Sequence, residues 1–261
     1  MLIARDIRAD LGRAPVLHGV DLLAGPGRLT AIIGPNGSGK TTLLRCLAGE
    51  LSPRSGTVSL NGEDIAGMAP HALALRRAVL PQHSALSFPF LVAEILRIGL
   101  TAHRCGPEDQ DALIRAALSR VGLPGHAGRL YQHLPGGEQQ RVQLARAMVQ
   151  VWQPVGPDGP RWLLLDEPVS SLDIAHQLAV MRLARGYARQ GGGVVAVMHD
   201  LNLTAMFADH VLLMQEGRAM AEGAPDLVLT DRLLSSAYGC ALRVRFAPDC
   251  GVWLLPQGAM A

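Results

Sequence analysis

Several features are scarce in this chain of 261 residues. The four cysteines, Cys46, Cys105, Cys240 and Cys250, are scattered and form no C-x-x-C pair. That suits reduced thiols in a cytosol, with structural roles, better than a disulfide framework or a zinc site. Charge of one sign is equally scarce: the formal net charge is +2 and no block of lysines or arginines stands out. Nucleic acid is therefore not expected as a partner, and any phosphate binding must be local. No uninterrupted apolar run approaches the roughly 18 to 20 residues that span a bilayer. The best runs, such as Trp162 to Leu165, are strand-sized. Residues Met1 to Asp10 meet charges too early for the apolar stretch of a secretory signal, so a membrane role is expected to come through a partner. His18, His71, His83, His103, His126, His133, His176 and His210 show no metal-ligand spacing and read as surface or packing residues. There is no internal repeat and no low-complexity tract.

What is present is organised around one stretch, Gly34-Pro35-Asn36-Gly37-Ser38-Gly39-Lys40-Thr41, which fits G-x-x-x-x-G-K-[ST] throughout. Leu29 to Ile33 before it is a short apolar run of the kind that forms a buried strand, and Thr42 to Ala48 after it has helical spacing. Strand, loop and helix together predict a phosphate cradle. The glycines let backbone N–H groups curl around an anion, and the helix N-terminus adds positive potential. Lys40 supplies a compact charge for the β- and γ-phosphates, and the Thr41 hydroxyl is expected on Mg²⁺. Hydrophobic content of 49% allows a sizeable core around it.

Along the chain, residues 1 to 30 read as short strands with turns at Leu11-Gly12-Arg13 and Gly25-Pro26-Gly27, a β layer ahead of the loop. Ser52 to Gly56 reads as a turn, Thr57 to Leu60 as a strand, Asn61-Gly62 as a hairpin turn, and Arg77 to Gln82 as another strand. From about 88 to 150 helical periodicity takes over, with stops at Cys105-Gly106-Pro107 and Leu123-Pro124-Gly125. Residues 153 to 160, rich in proline and glycine, read as a surface loop. Strands at Trp162 to Leu165, Val194 to Met198 and Val211 to Met214 then alternate with helices at Ile174 to Gln190 and Leu201 to Ala208. Such alternation predicts a parallel sheet. Residues 217 to 261 read as an appendix, with a helix near Asp231 to Tyr238 and strands at Leu242 to Phe246 and Val252 to Leu255.

Arg161 to Pro168 is an apolar strand ending in two carboxylates, and in a parallel α/β sheet that end lies beside the phosphate loop. Asp166 is expected to hold Mg²⁺. Glu167, one residue on, points elsewhere by strand alternation and is expected to act as general base on the water attacking the γ-phosphate. Gln82 at a strand end reads either as a turn residue or as an amide that ligates Mg²⁺ and senses the γ-phosphate. His199, after Val195 to Met198, lies where an imidazole can donate to that phosphate. Gly136 and Gly137 open a second anion-facing helix, for which one monomer has no obvious phosphate. Gln140, Arg141 and Arg146 on that helix are assigned no catalytic role, solvated side chains being the simple reading of them.

Leu134-Pro135-Gly136-Gly137-Glu138-Gln139-Gln140-Arg141 resembles the signature sequence of ATP-binding cassette ATPases. Around it stand what resemble the family's Q-loop glutamine (Gln82), D-loop (Ser171-Leu172-Asp173) and switch histidine (His199), in the expected order over essentially the whole chain. The resemblance implies an α/β fold of the P-loop NTPase type. It implies a RecA-like core sheet, an N-terminal antiparallel β layer and an inserted α-helical subdomain. The core would comprise 1–87 and 158–261, and the helical signalling subdomain 88–157, in a single ATPase domain. It implies that Gly34 to Thr42 bind ATP, with Thr42 included, that Thr41, Gln82 and Asp166 hold Mg²⁺, and that Glu167, His199 and Gln82 serve hydrolysis. Two copies would pair head to tail, with Leu134 to Glu138 of each capping the ATP held by the other.

Within the family the likeness is to ATPase subunits of bacterial hemin importers, in the iron-siderophore and cobalamin importer group. It is carried by Leu80 to Phe90, Gly136 to Arg146, the Pro-rich insertion before Trp162, Leu172 to Gln177 and His199 to Leu203. That implies two integral-membrane permease subunits, a periplasmic binding protein acting indirectly, and a peripheral position on the cytoplasmic face of the inner membrane. A ferric siderophore or cobalamin is the alternative cargo, and a soluble ATPase of iron–sulfur assembly the alternative class. Phe88, Pro89 and Phe90 read either as packing residues or as part of a groove for a permease helix. Two departures stand out. Between Asp10 and Leu17 no aromatic is offered to stack on adenine, leaving Val16 or Arg13, and Pro135 stands where the family usually has serine.

Overall fold

A computed structural model describes residues 1–82, 88–101, 106–246, 250–252 and 256–260. His83, His103, Cys105 and most of the expected strand Val252 to Leu255 lie outside the described residues.

The chain opens with two long antiparallel strands, β1 (Leu2–Leu11) and β2 (Ala14–Ala24). Their alternate side chains, Leu2, Ala4, Ile7 and Ala9 on β1, are buried, as period-two patterning requires of a half-covered sheet. The buried strand β3 (Leu29–Ile33) leads through the phosphate loop into α1 (Lys40–Leu47). The strands β4 (Ser55–Leu60) and β5 (Glu63–Asp64) form a hairpin across Asn61 and Gly62, both with positive φ (54° and 90°), the geometry that Asn-Gly favours. With them the β layer has the order β2-β1-β4-β5. Helix α2 (Pro70–Arg76), which periodicity does not announce, precedes β6 (Arg77–Leu80).

Helices α3 (Val92–Leu100), α4 (Pro107–Arg120) and α5 (Gly136–Gln150) follow, each packed against the others. The Pro-rich stretch is not a bare loop, because β7 (Val155–Gly156) and β8 (Gly159–Pro160) close it into a small ribbon. Asn61 ties that ribbon to the β layer: its Nδ2 donates to Pro160 O (2.9 Å) and its Oδ1 accepts from Trp162 Nε1 (3.2 Å). Then come β9 (Trp162–Asp166), α6 (Ile174–Arg189), β10 (Gly193–Val197), α7 (Leu201–Phe207), β11 (His210–Gln215), β12 (Arg218–Gly223), α8 (Pro225–Val228) and α9 (Asp231–Tyr238).

The second sheet has the order β12-β11-β3-β10-β9-β6, parallel except for β12. Strands β3, β9 and β10 are buried along their whole length, the continuous apolar pattern of a sheet covered on both faces. The residues after Gly217 are not an appendix: β12 is a strand of this sheet, and Leu234 and Ala237 of α9 belong to its core. Leu242 to Phe246 is not a strand. Two of its amides are taken by α9 side chains, Leu242 N donating to Ser235 Oγ (2.9 Å) and Val244 N to Asp231 Oδ1 (2.7 Å).

Both rims of the second sheet are covered. At β6, Arg146 Nη2 donates to Val79 O (3.2 Å), and Gln150 Nε2 to Arg77 O (2.9 Å) and Ala74 O (2.8 Å). At β12, Glu222 accepts from Leu23 N (3.1 Å) of β2, and Arg218 donates to His18 O (3.3 Å). Among the described residues no helix is long and apolar enough to cross a membrane.

Candidate functional site

The phosphate loop begins where β3 stops. Gly34 has φ 143°, and a Cβ there would lie 2.1 Å from the carbonyl oxygen of Met214, so no other residue fits between β3 and β11. The loop closes at Gly39, which caps α1 with φ 94° and no side-chain hydrogen bond. The first amides of α1 therefore have no side-chain acceptor, as an anion site requires. Lys40 is buried, and its Nζ donates to the carbonyls of Gly34 (2.9 Å) and Pro35 (2.8 Å). Burial pushes its pKa down, opposed by the charges of Glu167 and Asp166.

The parallel register sets Asp166 beside Val197, so β9 and β10 end together next to that loop. Asp166 and Glu167 then diverge, through a left-handed turn at Glu167 rather than by strand alternation, since β9 ends at Asp166. Asp166 is buried and accepts from Thr41 Oγ1 (3.1 Å). Burial pushes its carboxyl up, the Thr41 hydroxyl opposing and the Glu167 charge adding to the rise. Glu167 takes a left-handed backbone, φ 51°, anchored by its N–H to Val197 O (3.2 Å). Its Oε1 accepts from His199 Nε2 at 2.6 Å. His199 thus meets Glu167 directly, while still lining the cleft.

That cleft, of about 650 Å³, is floored by Asn36, Gly37 and Gly39 to Thr42 and walled by Gln82, Glu167 and His199. Its other end is Leu11 and Val16, an aliphatic pair from the β1–β2 hairpin; Arg13 does not line it. Thr41, Gln82 and Asp166 also share a smaller cleft of about 210 Å³. Their donors are all oxygen, a hydroxyl, an amide carbonyl and one carboxylate, which fits a hard cation completed by phosphate oxygens. Gln82 is exposed at the junction of the two clefts.

Leu134 to Glu138 and Ser171 to Asp173 do not reach this cleft. They meet each other instead: a Cβ at Gly137 would lie 3.2 Å from Leu172 Cδ2 and 3.3 Å from Ser171 O. Pro135 (φ −56°, ψ 151°) precedes α5, and its carbonyl accepts from Glu138 N (2.9 Å) and Gln139 N (3.0 Å). Asp173 caps α6, and the His176 backbone N–H and then its imidazole hold the Asp173 carboxyl below the usual range.

Three residues of α5 assigned to solvent are not there. Arg141 is buried and donates to the carbonyls of Val121 (3.1 Å) and Gly122 (3.4 Å) at the end of α4. Arg146 covers β6, and burial lowers its pKa. Gln140 Nε2 donates to the carbonyl oxygen of Glu167 at 3.1 Å. Nothing in the local sequence distinguishes these polar side chains from solvated ones; only the packing of α5 on the strand ends does. Leu11 was the other omission, visible only once the hairpin turns it toward the loop. Phe88 and Pro89 are exposed, and Phe90 packs against the core.

Residues 17–170 match the ABC transporter family. The chain is 59% identical over 258 residues to a hemin import ATP-binding protein, HmuV, of Jannaschia sp. (strain CCS1), covering 98% of this chain and 94% of that one. It is 58% identical over 259 residues to the protein of the same name from Roseobacter denitrificans, covering 99% and 98%. Among solved structures it resembles an ATP-binding subunit of an ABC transporter, with TM-score 0.77 and 23% identity over 92% of this chain and 94% of that one. A dimeric bacterial ABC transporter cassette aligns with TM-score 0.75 and 23% identity over 86% and 99%.

Proposed function

The chain belongs to the ABC transporter family, and we propose that it is the ATP-hydrolysing subunit of an importer whose cargo is hemin. The observation that carries the reading is the meeting of Lys40, Thr41, Asp166, Glu167, Gln82 and His199 around two clefts that share Thr41 and Gln82. Phosphates lie in the loop against free α1 amides and Lys40, while Leu11 and Val16 offer an aliphatic surface to the base in place of an aromatic. Glu167 takes the proton of the attacking water, and His199, donating to its carboxylate, fixes the direction in which the free oxygen lone pairs point. Thr41, Asp166 and Gln82 would hold Mg²⁺, which when bound neutralises charge on the phosphate oxygens. Two copies pair head to tail, each offering Leu134 to Glu138 to its partner's nucleotide. Residues 88–157 act as the signalling subdomain. Phe88 and Pro89, both exposed, form part of the surface offered to two integral-membrane permease subunits at the cytoplasmic face.

The test is transport. With permeases in vesicles and the binding protein present, hemin should be carried in preference to cobalamin or a ferric siderophore. Glu167→Gln should keep ATP binding and slow turnover by about 10²–10⁴-fold, the range for a lost general base. Turnover equal to the parent, or another cargo preferred, sinks the corresponding half of the reading.

A further inference from the structure

The backbone of Glu167 is held in an unusual way. Its left-handed φ of 51° is a conformation that side chains other than glycine adopt at a cost, so it persists only where neighbours hold it. Its N–H is fixed to Val197 O on the sheet, and Ser170, three residues on, contacts its carbonyl through Oγ at 3.3 Å. The Ser170 backbone N–H also donates to that carbonyl, at 3.4 Å, and the one donor to it from a different element is Gln140 Nε2 on α5, at 3.1 Å, the shortest of the three. A carbonyl oxygen only accepts, so the amide must present its NH₂ here. Its Oε1 is then turned into a buried place with no hydrogen-bond partner among the described residues. An unpaired buried acceptor works against stability, so the glutamine is poorly accounted for as packing alone.

We propose that Gln140 is a positioning residue for the reaction: through the Glu167 carbonyl it holds the left-handed turn that aims the Glu167 carboxylate. The inference rests on the reading of Glu167 as general base. It also has a directional consequence. Gln140 lies in the same helix as Gly136 and Gly137, one turn on, so any displacement of that helix start is passed rigidly to the Glu167 backbone in the same chain. Arg141, fastened to the end of α4, ties α4 to α5 and strengthens that coupling.

The test is a double-mutant cycle on the full chain. Gln140→Met keeps the length and removes the donor, while Gln140→Glu keeps the shape and puts an acceptor against the carbonyl. Each should lower kcat by about three- to tenfold, the size of one lost hydrogen bond, with ATP affinity by calorimetry unchanged and the chain still folded by circular dichroism. In a Glu167→Gln background, Gln140→Met should lower the residual rate by less than about twofold, because the group it positions is already gone. An equal loss in both backgrounds, or affinity falling in step with rate, overturns the role of Gln140 and leaves the general base standing. Parent-like turnover by Glu167→Gln alone overturns both.

Discussion

Replacing Pro135 with serine separates two effects that the position combines. Pro135 stands at the start of α5 with φ −56° and ψ 151°, a backbone that serine adopts without strain. For the chain's own stability the gains and losses nearly cancel. A serine cap contributes about 1 kcal/mol to the helix, and loss of the proline restores about 0.4–1 kcal/mol of freedom to the unfolded chain. The contact with a partner's nucleotide is different, because proline has neither an N–H nor a hydroxyl to give. A hydrogen bond to a charged group contributes about 1.5–3 kcal/mol, and in the proposed head-to-tail pair the two serines would add two such contacts. The dimerisation constant should therefore rise by about a hundredfold or more in Pro135→Ser at an unchanged unfolding midpoint. The measurement is sedimentation equilibrium with saturating ATP, comparing Glu167→Gln with and without Pro135→Ser. If the two constants agree within error, Gly136 and Gly137 already supply the needed donors and the reasoning about a missing hydroxyl is wrong.

Lys40 is the chain's only lysine, so an acylating reagent that spares the N-terminus reports on one ε-amine; ATP should protect it, and a label rate indifferent to ATP would count against the phosphate contact. Lys40→Ala should weaken ATP binding about tenfold or more by calorimetry, the loss of one charge-assisted contact. Cys46, buried on α1, has its thiol pushed up to about 11 from 9.0 by burial. The folded state thus disfavours its thiolate: this contribution to stability is full below pH 9.0 and is lost as pH rises toward about 11. A thiol reagent at pH 8 should label Cys240 and Cys250, both exposed, and reach Cys46 only through unfolding, as peptide mass mapping would reveal.

The phosphate loop and the two carboxylates were legible because their chemistry fixes both residue type and spacing: Gly34 has no room for a Cβ, and the apolar run of β9 ends on Asp166, although the left-handed turn that carries Glu167 away from it was not legible. Strands β3, β9 and β10 announce themselves by continuous apolar runs. Where the outcome depended on a partner, sequence was mute or misleading. Strand β12, Arg218-Ala-Met-Ala-Glu-Gly, has no β-branched residue and is a strand because β11 offers it an edge. Leu242 to Phe246 alternates as a strand should and is not one, because α9 takes its amides. Gln140 looked like any helix-surface glutamine, since its bond to Glu167 spans 27 positions.

The covered rims of the six-stranded sheet bear on a hazard every such protein faces, self-association by strand addition. An open edge is a template for another chain. At β6 the carbonyls of Arg77 and Val79 already receive donors from Gln150 and Arg146, and at β12 the rim is bridged to β2 by Glu222 and Arg218. These four polar side chains act as gatekeepers. They cost conformational freedom and do no chemistry, yet they deny a crowded neighbour the hydrogen bonds on which fibrous aggregation is built.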